Sequence, residues 1–402
     1  MDTTHRTIHK SLRVSLKGQN VTIPSMYEVF PEWKPQIHPQ WVVDKRTAKG
    51  LKAADFAVFA AVWNPKCSFE VLCTAAKYYA WYFVYDDIFD CGTLKYNKSA
   101  AIEYRDASLQ YFKFFLCGEG SPPDLSSFDT ELRNGLHCWD EVGTHICQVN
   151  SKESRQVLCD EMLRYVGSLD NVDSIFEIYE TPSPEQYWER REATAAVHCV
   201  SATIPFVYGI DVTKEQMEAQ AMKDLWRHTS FFVHISNDMF SFRKEVNDDQ
   251  IENLIPVLMM NENVTCNEAM QKGYALLQEE AAGFYDAKKR LIADAKDEDK
   301  NVSEAFIEGC LNIAMGLAHW SYCGHRYFKP WERDSQDVIH FTVGPPPAPP
   351  VSAVCTSSES ESFLGKFPIW DMCLNLVHFS PLIIWTVGAI APRFTKLASV
   401  SA

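Results

Sequence analysis

The sequence predicts an all-α protein, and three observations carry that expectation. Between about Thr47 and Thr342, long segments rich in Ala, Leu, Glu and aromatic residues are broken only by short Pro, Gly, Asn or Ser stretches. Helix starts are written into those breaks: Ser183-Pro184-Glu185-Gln186 joins a capping box to a proline at the first helical position, and Thr265 with Glu268 repeats the box without proline. Segments of alternating apolar and polar residues are scarce, and there is no convincing internal repeat.

At 402 residues and 46% hydrophobic content, the chain buries a large core as one big domain or two ordinary ones. Its 53 Asp and Glu against 38 Lys and Arg give a formal charge of −15, which repels nucleic acid and anionic membrane surfaces alike. Thirteen cysteines form no CxxC pair, so neither a zinc site nor a disulfide framework is expected, and reduced thiols fit a cytoplasmic protein. The first residues, MDTTHRTIHKSLRVSLKG, have no continuous apolar stretch, so no secretory signal is read there. The run Phe379 to Ala391 contains Pro381 and falls short of the roughly 20 residues that span a bilayer, so no stable membrane span is expected.

Composition divides the chain into an N-terminal segment (1–20), a helical domain (21–342), a Pro/Ser-rich linker (343–363) and an apolar tail (364–402). For the tail, packing on the domain, membrane association and a terminus without function all remain open.

The chemistry gathers in two clusters. The first, DDIFD at 86–90, follows the apolar and aromatic stretch AAKYYAWYFVY, which is free of Gly and Pro and reads as a buried helix. On a helix Asp86 and Asp90 stand one turn apart on one face, with Asp87 three residues from Asp90 and with Tyr79, Phe83 and Tyr82 below. Like charges at that spacing cost on the order of 0.2–0.5 kcal/mol when exposed and more when buried, so a cation is wanted. Hard oxygen ligands suit Mg²⁺, which fills its octahedron with water and substrate phosphate. A solvated acidic helix end is the competing reading of DDIFD taken alone; the aromatic stretch beneath favours a site.

The second cluster lies in SFFVHISNDMFSFRKEV. Asn237, Ser241 and Glu245 fall at i, i+4 and i+8, which aligns an amide oxygen, a hydroxyl and a carboxylate along one helix face. One carboxylate with two neutral oxygens binds Mg²⁺ weakly alone, so such a site fills best when pyrophosphate supplies the missing charge. Lys244 stands beside it to meet phosphate. Phe231, Phe232, Val233, Ile235, Met239, Phe240 and Phe242 surround the polar stripe, so the helix is expected to be largely buried.

These two clusters, in this order in a helical chain, resemble class I terpene synthases, especially the fungal sesquiterpene cyclases; the specific match is the second motif, Asn237-Asp238 through Ser241 to Lys244-Glu245. The resemblance covers roughly residues 20 to 342. It implies a single α-helical barrel of the isoprenoid-synthase type with an extra C-terminal tail. It also implies three Mg²⁺ ions, with Mn²⁺ a possible substitute, held by Asp86, Asp90, Asn237, Ser241 and Glu245. Lys244 would donate to the diphosphate, and Arg191, 46 positions before Asn237 (237 − 191 = 46), would be the diphosphate sensor. Arg326-Tyr327 resembles the family's late Arg-Tyr pair, and Trp320, seven residues before Tyr327, is expected on the same helical face. One departure stands out: the family's linker residue and helix break after the sensor fall here at Thr194 and Ala195, with no glycine until Gly209.

By this resemblance farnesyl diphosphate ionises at the mouth, Arg191, Lys244, Arg326 and Tyr327 hold the diphosphate, and Tyr79, Phe83 and Trp320 face the carbocation. The expected partner is thus a prenyl diphosphate, with no nucleic acid, and the expected state is a monomer or homodimer. Chain-elongating prenyltransferases carry a second aspartate-rich motif where this chain has the Asn/Ser/Glu pattern, which favours cyclisation. A ten- or twenty-carbon substrate and a non-enzymatic helical scaffold compete less well with the cyclase reading.

Overall fold

The computed structural model describes residues 16–36, 56–90, 94, 97–169, 182–247, 253–324 and 326–344. The tail expected over 364–402 and most of the linker before it lie outside them, as do the side chains of Phe83, Asp87 and Asp90 and all of His325.

The helices are α1 (Phe56–Trp63), α2 (Phe69–Asp90), α3 (Lys98–Phe112), α4 (Thr130–His137), α5 (Asp140–Val149), α6 (Lys152–Ser168) and α7 (Pro184–Thr194). They continue through the short α8 (Val197–Ser201), α9 (Ile204–Tyr208) and α10 (Lys214–Glu218) to α11 (Gln220–Asn247), α12 (Leu254–Glu262), α13 (Cys266–Asp294) and α14 (Lys300–Cys323). The expected all-α class is the observed one. Both capping boxes form, at Ser183 with Gln186 and at Thr265 with Glu268, and a third joins Thr213 to Gln216.

Helix α11 is the axis of the packing. It lies along α13 and α14, α14 packs on α1, and α1 packs on α2. The approach of α14 to α1 depends on Gly316, where a Cβ would stand 2.2 Å from Cδ1 of Trp63. The two strands, β1 (Asn20–Ile23) and β2 (Ile339–Thr342), pair antiparallel from Asn20 opposite Thr342 to Ile23 opposite Ile339. Asn267, at the start of α13, finishes the free edge of β1: its Oδ1 accepts the Thr22 N–H at 3.0 Å and its Nδ2 donates to the Asn20 carbonyl at 2.8 Å.

A buried carboxylate ties three helices. Asp238 on α11 is 0% exposed. Its Oδ1 accepts from Arg191 of α7, at 2.8 Å from Nη2 and 3.2 Å from Nε, and its Oδ2 accepts from the Tyr187 hydroxyl and, at 2.7 Å, from the Leu254 N–H that opens α12. Tyr187 and Arg191 stand one turn apart on α7, so one helix face delivers both donors. The negative charge at the N-terminus of α12 also complements that helix's dipole.

Two stability measurements test this packing. Gly316→Ala is expected to cost about 1–3 kcal/mol by forcing α14 from Trp63, and urea denaturation reads it; an unchanged midpoint would mean the helices have room to spare. Asp238→Asn, which leaves the Arg191 guanidinium without its carboxylate, is expected to cost about 3 kcal/mol in the same assay.

Candidate active site

The long α11 contains neither Gly nor Pro and runs unbroken through 237–245, so Asn237, Ser241 and Glu245 do share one face. Ser241 is 2% exposed, and its hydroxyl has no hydrogen-bond partner among the described residues. A buried hydroxyl in that state costs about 1–3 kcal/mol unless a ligand or ion engages it. Asn237 is oriented on both sides: Oδ1 accepts from Arg191 Nη2 at 3.1 Å, and Nδ2 donates to the Tyr327 hydroxyl at 3.3 Å. Glu245 is oriented by Asn253, whose Nδ2 donates to Oε2 at 2.9 Å and to the Asp238 carbonyl at 2.7 Å. Lys244 is half-buried beside Glu245.

This donor set fits a hard divalent cation: three oxygens of different charge, with the central hydroxyl buried and unpartnered. Among the described residues no group of three His, Cys, Asp or Glu forms a metal site, as follows when two of three donors are an amide and a hydroxyl.

Asp86 lies near the end of α2, where its Oδ1 accepts from the Tyr165 hydroxyl of α6 at 3.3 Å. Phe83 and Asp90 are on the same helix. Deeper on α2, Tyr79 is buried, with its hydroxyl 3.0 Å from Asn64 Nδ2. Burial pushes its phenol up to about 12, so it stays protonated at neutral pH. Phe59 joins it to Trp320, with ring centroids 5.8 Å from Tyr79 and 5.0 Å from Trp320. Two of the expected aromatic residues therefore belong to one cluster.

Tyr327 corrects one expectation. Helix α14 ends at Cys323, so Tyr327 is in the following loop and shares no helical face with Trp320. The rings meet all the same, edge to face at 6.0 Å, because the loop folds back over the helix end. Arg326 is exposed beside it, with Nε 3.3 Å from the Tyr327 hydroxyl. Arg191, Asn237, Tyr327 and Arg326 thus form a connected chain of hydrogen bonds.

The break after Arg191 is present without a glycine. Helix α7 stops at Thr194, Ala196 takes φ 57° and ψ 10°, and α8 begins at Val197. A left-handed alanine costs of the order of 1–3 kcal/mol, so the surroundings must hold it there. Glu192 and His198 are hydrogen-bonded across the break at 3.3 Å, and that bond holds the Glu192 carboxyl below its ordinary range. On α11 nearby, His234 is fully buried against Trp188 and Phe231, and burial pushes its imidazole well below its usual value, leaving it neutral.

Sequence reasoning missed Asp238, Tyr187, Asn253 and Tyr165. A signal for Asp238 was available: a carboxylate inside an apolar, buried helix requires a cationic partner. The other three are polar residues that only the packing brings to the site.

Comparison with known proteins gives the family and the fold. Residues 77–282 match the family described as terpene synthase family 2, C-terminal metal binding. The chain is 25% identical over 339 residues to the sesquiterpene cyclase hepA of Aspergillus oryzae, covering 79% of this chain and 91% of the relative. It is 26% identical over 340 residues to the terpene cyclase braA of Annulohypoxylon truncatum, covering 79% and 89%. Among solved structures, a single-site variant of cucumene synthase superposes with a TM-score of 0.60 at 21% identity, covering 74% of this chain and 99% of that one. Germacradien-4-ol synthase from Streptomyces citricolor superposes at 0.59 and 17% identity, covering 72% and 96%. With the helical fold, the oxygen triad on α11 and a matched region of more than half its length, this chain belongs to terpene synthase family 2.

Proposed function

We propose that the chain is a sesquiterpene cyclase that ionises farnesyl diphosphate and closes the resulting carbocation into a cyclic hydrocarbon or alcohol. The observation that carries this reading is the α11 triad, whose buried Ser241 hydroxyl lacks a protein partner among the described residues while Asn237 reaches the Tyr327 hydroxyl. The relative named a sesquiterpene cyclase supports the fifteen-carbon substrate.

Asp86 and Asp90 on one side, and Asn237, Ser241 and Glu245 on the other, would hold three Mg²⁺. Such ions, when bound, supply Lewis-acid charge to the departing diphosphate. Arg191, Lys244, Arg326 and Tyr327 bind diphosphate oxygens and fix the allylic carbon against the aromatic cluster. The C–O bond breaks heterolytically; its electron pair leaves on the diphosphate oxygen, and the positive charge remains on the allylic carbons. Tyr79 and Trp320 are the candidates to stabilise that charge, by roughly 0.5–2 kcal/mol for each ring face that meets it. The buried walls exclude water until a proton is lost or one water is admitted. Arg191 enters this step already paired with Asp238, so its geometry is set before substrate arrives.

Incubation with farnesyl diphosphate and Mg²⁺ is expected to release diphosphate and give a cyclic C15 product by gas chromatography with mass spectrometry. A longer diphosphate chain on adding isopentenyl diphosphate would sink the reading. Chelation should abolish turnover, and Mg²⁺ or Mn²⁺ should restore it. Asp86→Ala and Asn237→Ala are expected to abolish release while leaving the protein folded. Ser241→Ala separates ligand from structural roles most sharply. Removing an unpartnered buried hydroxyl should not lower stability and should raise it by up to about 1–3 kcal/mol, yet turnover should fall about a hundredfold, as loss of roughly 2.7 kcal/mol of transition-state stabilisation would produce.

A further inference from the structure

The loop that carries Arg326 and Tyr327 is anchored from a side of α11 remote from the triad. Arg243 and Glu332 form a buried, two-pronged ion pair, Nη1 to Oε1 at 2.5 Å and Nη2 to Oε2 at 2.9 Å, with side chains 5% and 2% exposed. The same Nη2 donates to the Tyr327 carbonyl at 2.7 Å. Glu332 in turn accepts the Lys329 N–H at 2.8 Å, which closes the turn over Pro330–Glu332. The guanidinium also lies over the rings of Phe328 and Phe341, 5.6 and 5.1 Å from their centroids. Asn237 and Arg243 face different sides of α11, so Tyr327 is held at its hydroxyl by one and at its carbonyl by the other.

We propose that Arg243 and Glu332 are positioning residues for diphosphate binding: their ion pair seats the Arg326-Tyr327 loop on α11 so that Tyr327 stands over Asn237. This rests on the cyclase reading above. Neither residue touches substrate. A fork of two parallel bonds plus a third to the backbone fixes orientation as a single ammonium could not.

The test is a double-mutant cycle on the full chain, with inorganic pyrophosphate and Mg²⁺ as the calorimetric probe. R243M/E332L removes both charges together, leaves neither buried alone, and is expected to keep or raise Tm, because apolar replacement of a whole buried pair is often neutral or stabilising. Pyrophosphate affinity should nevertheless fall about tenfold, the scale of one charge-assisted hydrogen bond, with KM for farnesyl diphosphate rising more than kcat falls. Tyr327→Phe should weaken pyrophosphate binding in the parent and add little in R243M/E332L. If R243M/E332L does not fold, R243K replaces it, with an expected loss of about threefold. A folded variant that holds pyrophosphate within about twofold of the parent overturns the proposal; so does an equal Tyr327→Phe loss in both backgrounds. A parent that turns over no prenyl diphosphate and binds no pyrophosphate removes the cyclase reading and this proposal with it, whereas normal parent turnover beside an unaffected variant removes this proposal alone.

Discussion

The site depends on one buried charge. Asp238 has no exposure to solvent, and its carboxylate is satisfied by Arg191, by Tyr187 and by the first N–H of α12. An unpaired carboxylate in that position would be costly, and the meeting of α7, α11 and α12 in this register supplies its partners. The consequence reaches the chemistry directly, because the arginine that neutralises Asp238 also donates to Asn237, a member of the oxygen triad. Folding thereby shares one guanidinium between an internal carboxylate and the triad's amide.

Around that centre, polar and aromatic groups meet at Tyr327, whose hydroxyl accepts from Asn237 and whose ring packs edge to face on Trp320. The triad on α11, with Arg326 and Tyr327 above it, makes one end of the site polar, whereas Tyr79, Phe59 and Trp320 pack into an aromatic cluster. Most of the candidate polar groups are pinned by a neighbour: Glu245 by Asn253, Asn237 by Arg191 and Tyr327, and on α2 Asp86 by Tyr165. Ser241 is the exception: among the described residues its hydroxyl has no partner, although it lies between two oriented oxygens. The break at Ala196 is likewise bridged by its neighbours: Glu192 and His198 are hydrogen-bonded across the left-handed alanine.

Much of this was legible in the sequence. Helical class, both capping boxes and the i, i+4, i+8 stripe at Asn237, Ser241 and Glu245 follow from local rules, since helical periodicity maps sequence spacing onto a face. The same rule misled at Trp320 and Tyr327, because α14 stops at Cys323 and periodicity carries no information beyond a helix end. The helix break was obscured for a related reason: no glycine marks it, and the left-handed residue is an alanine whose conformation is imposed by its neighbours.

What the sequence by itself determined is therefore the helical class and the order in which the candidate oxygen donors fall along α2 and α11, set by residue chemistry and by spacing within single helices. Only the tertiary structure decided which donor is left unpartnered, that Arg191 is shared between Asp238 and Asn237, and that Tyr327 reaches the triad from a loop anchored by Arg243 and Glu332. Those are pairings between residues remote in sequence, and they exist because burying a charge obliges the fold to supply its partner, wherever along the chain that partner lies.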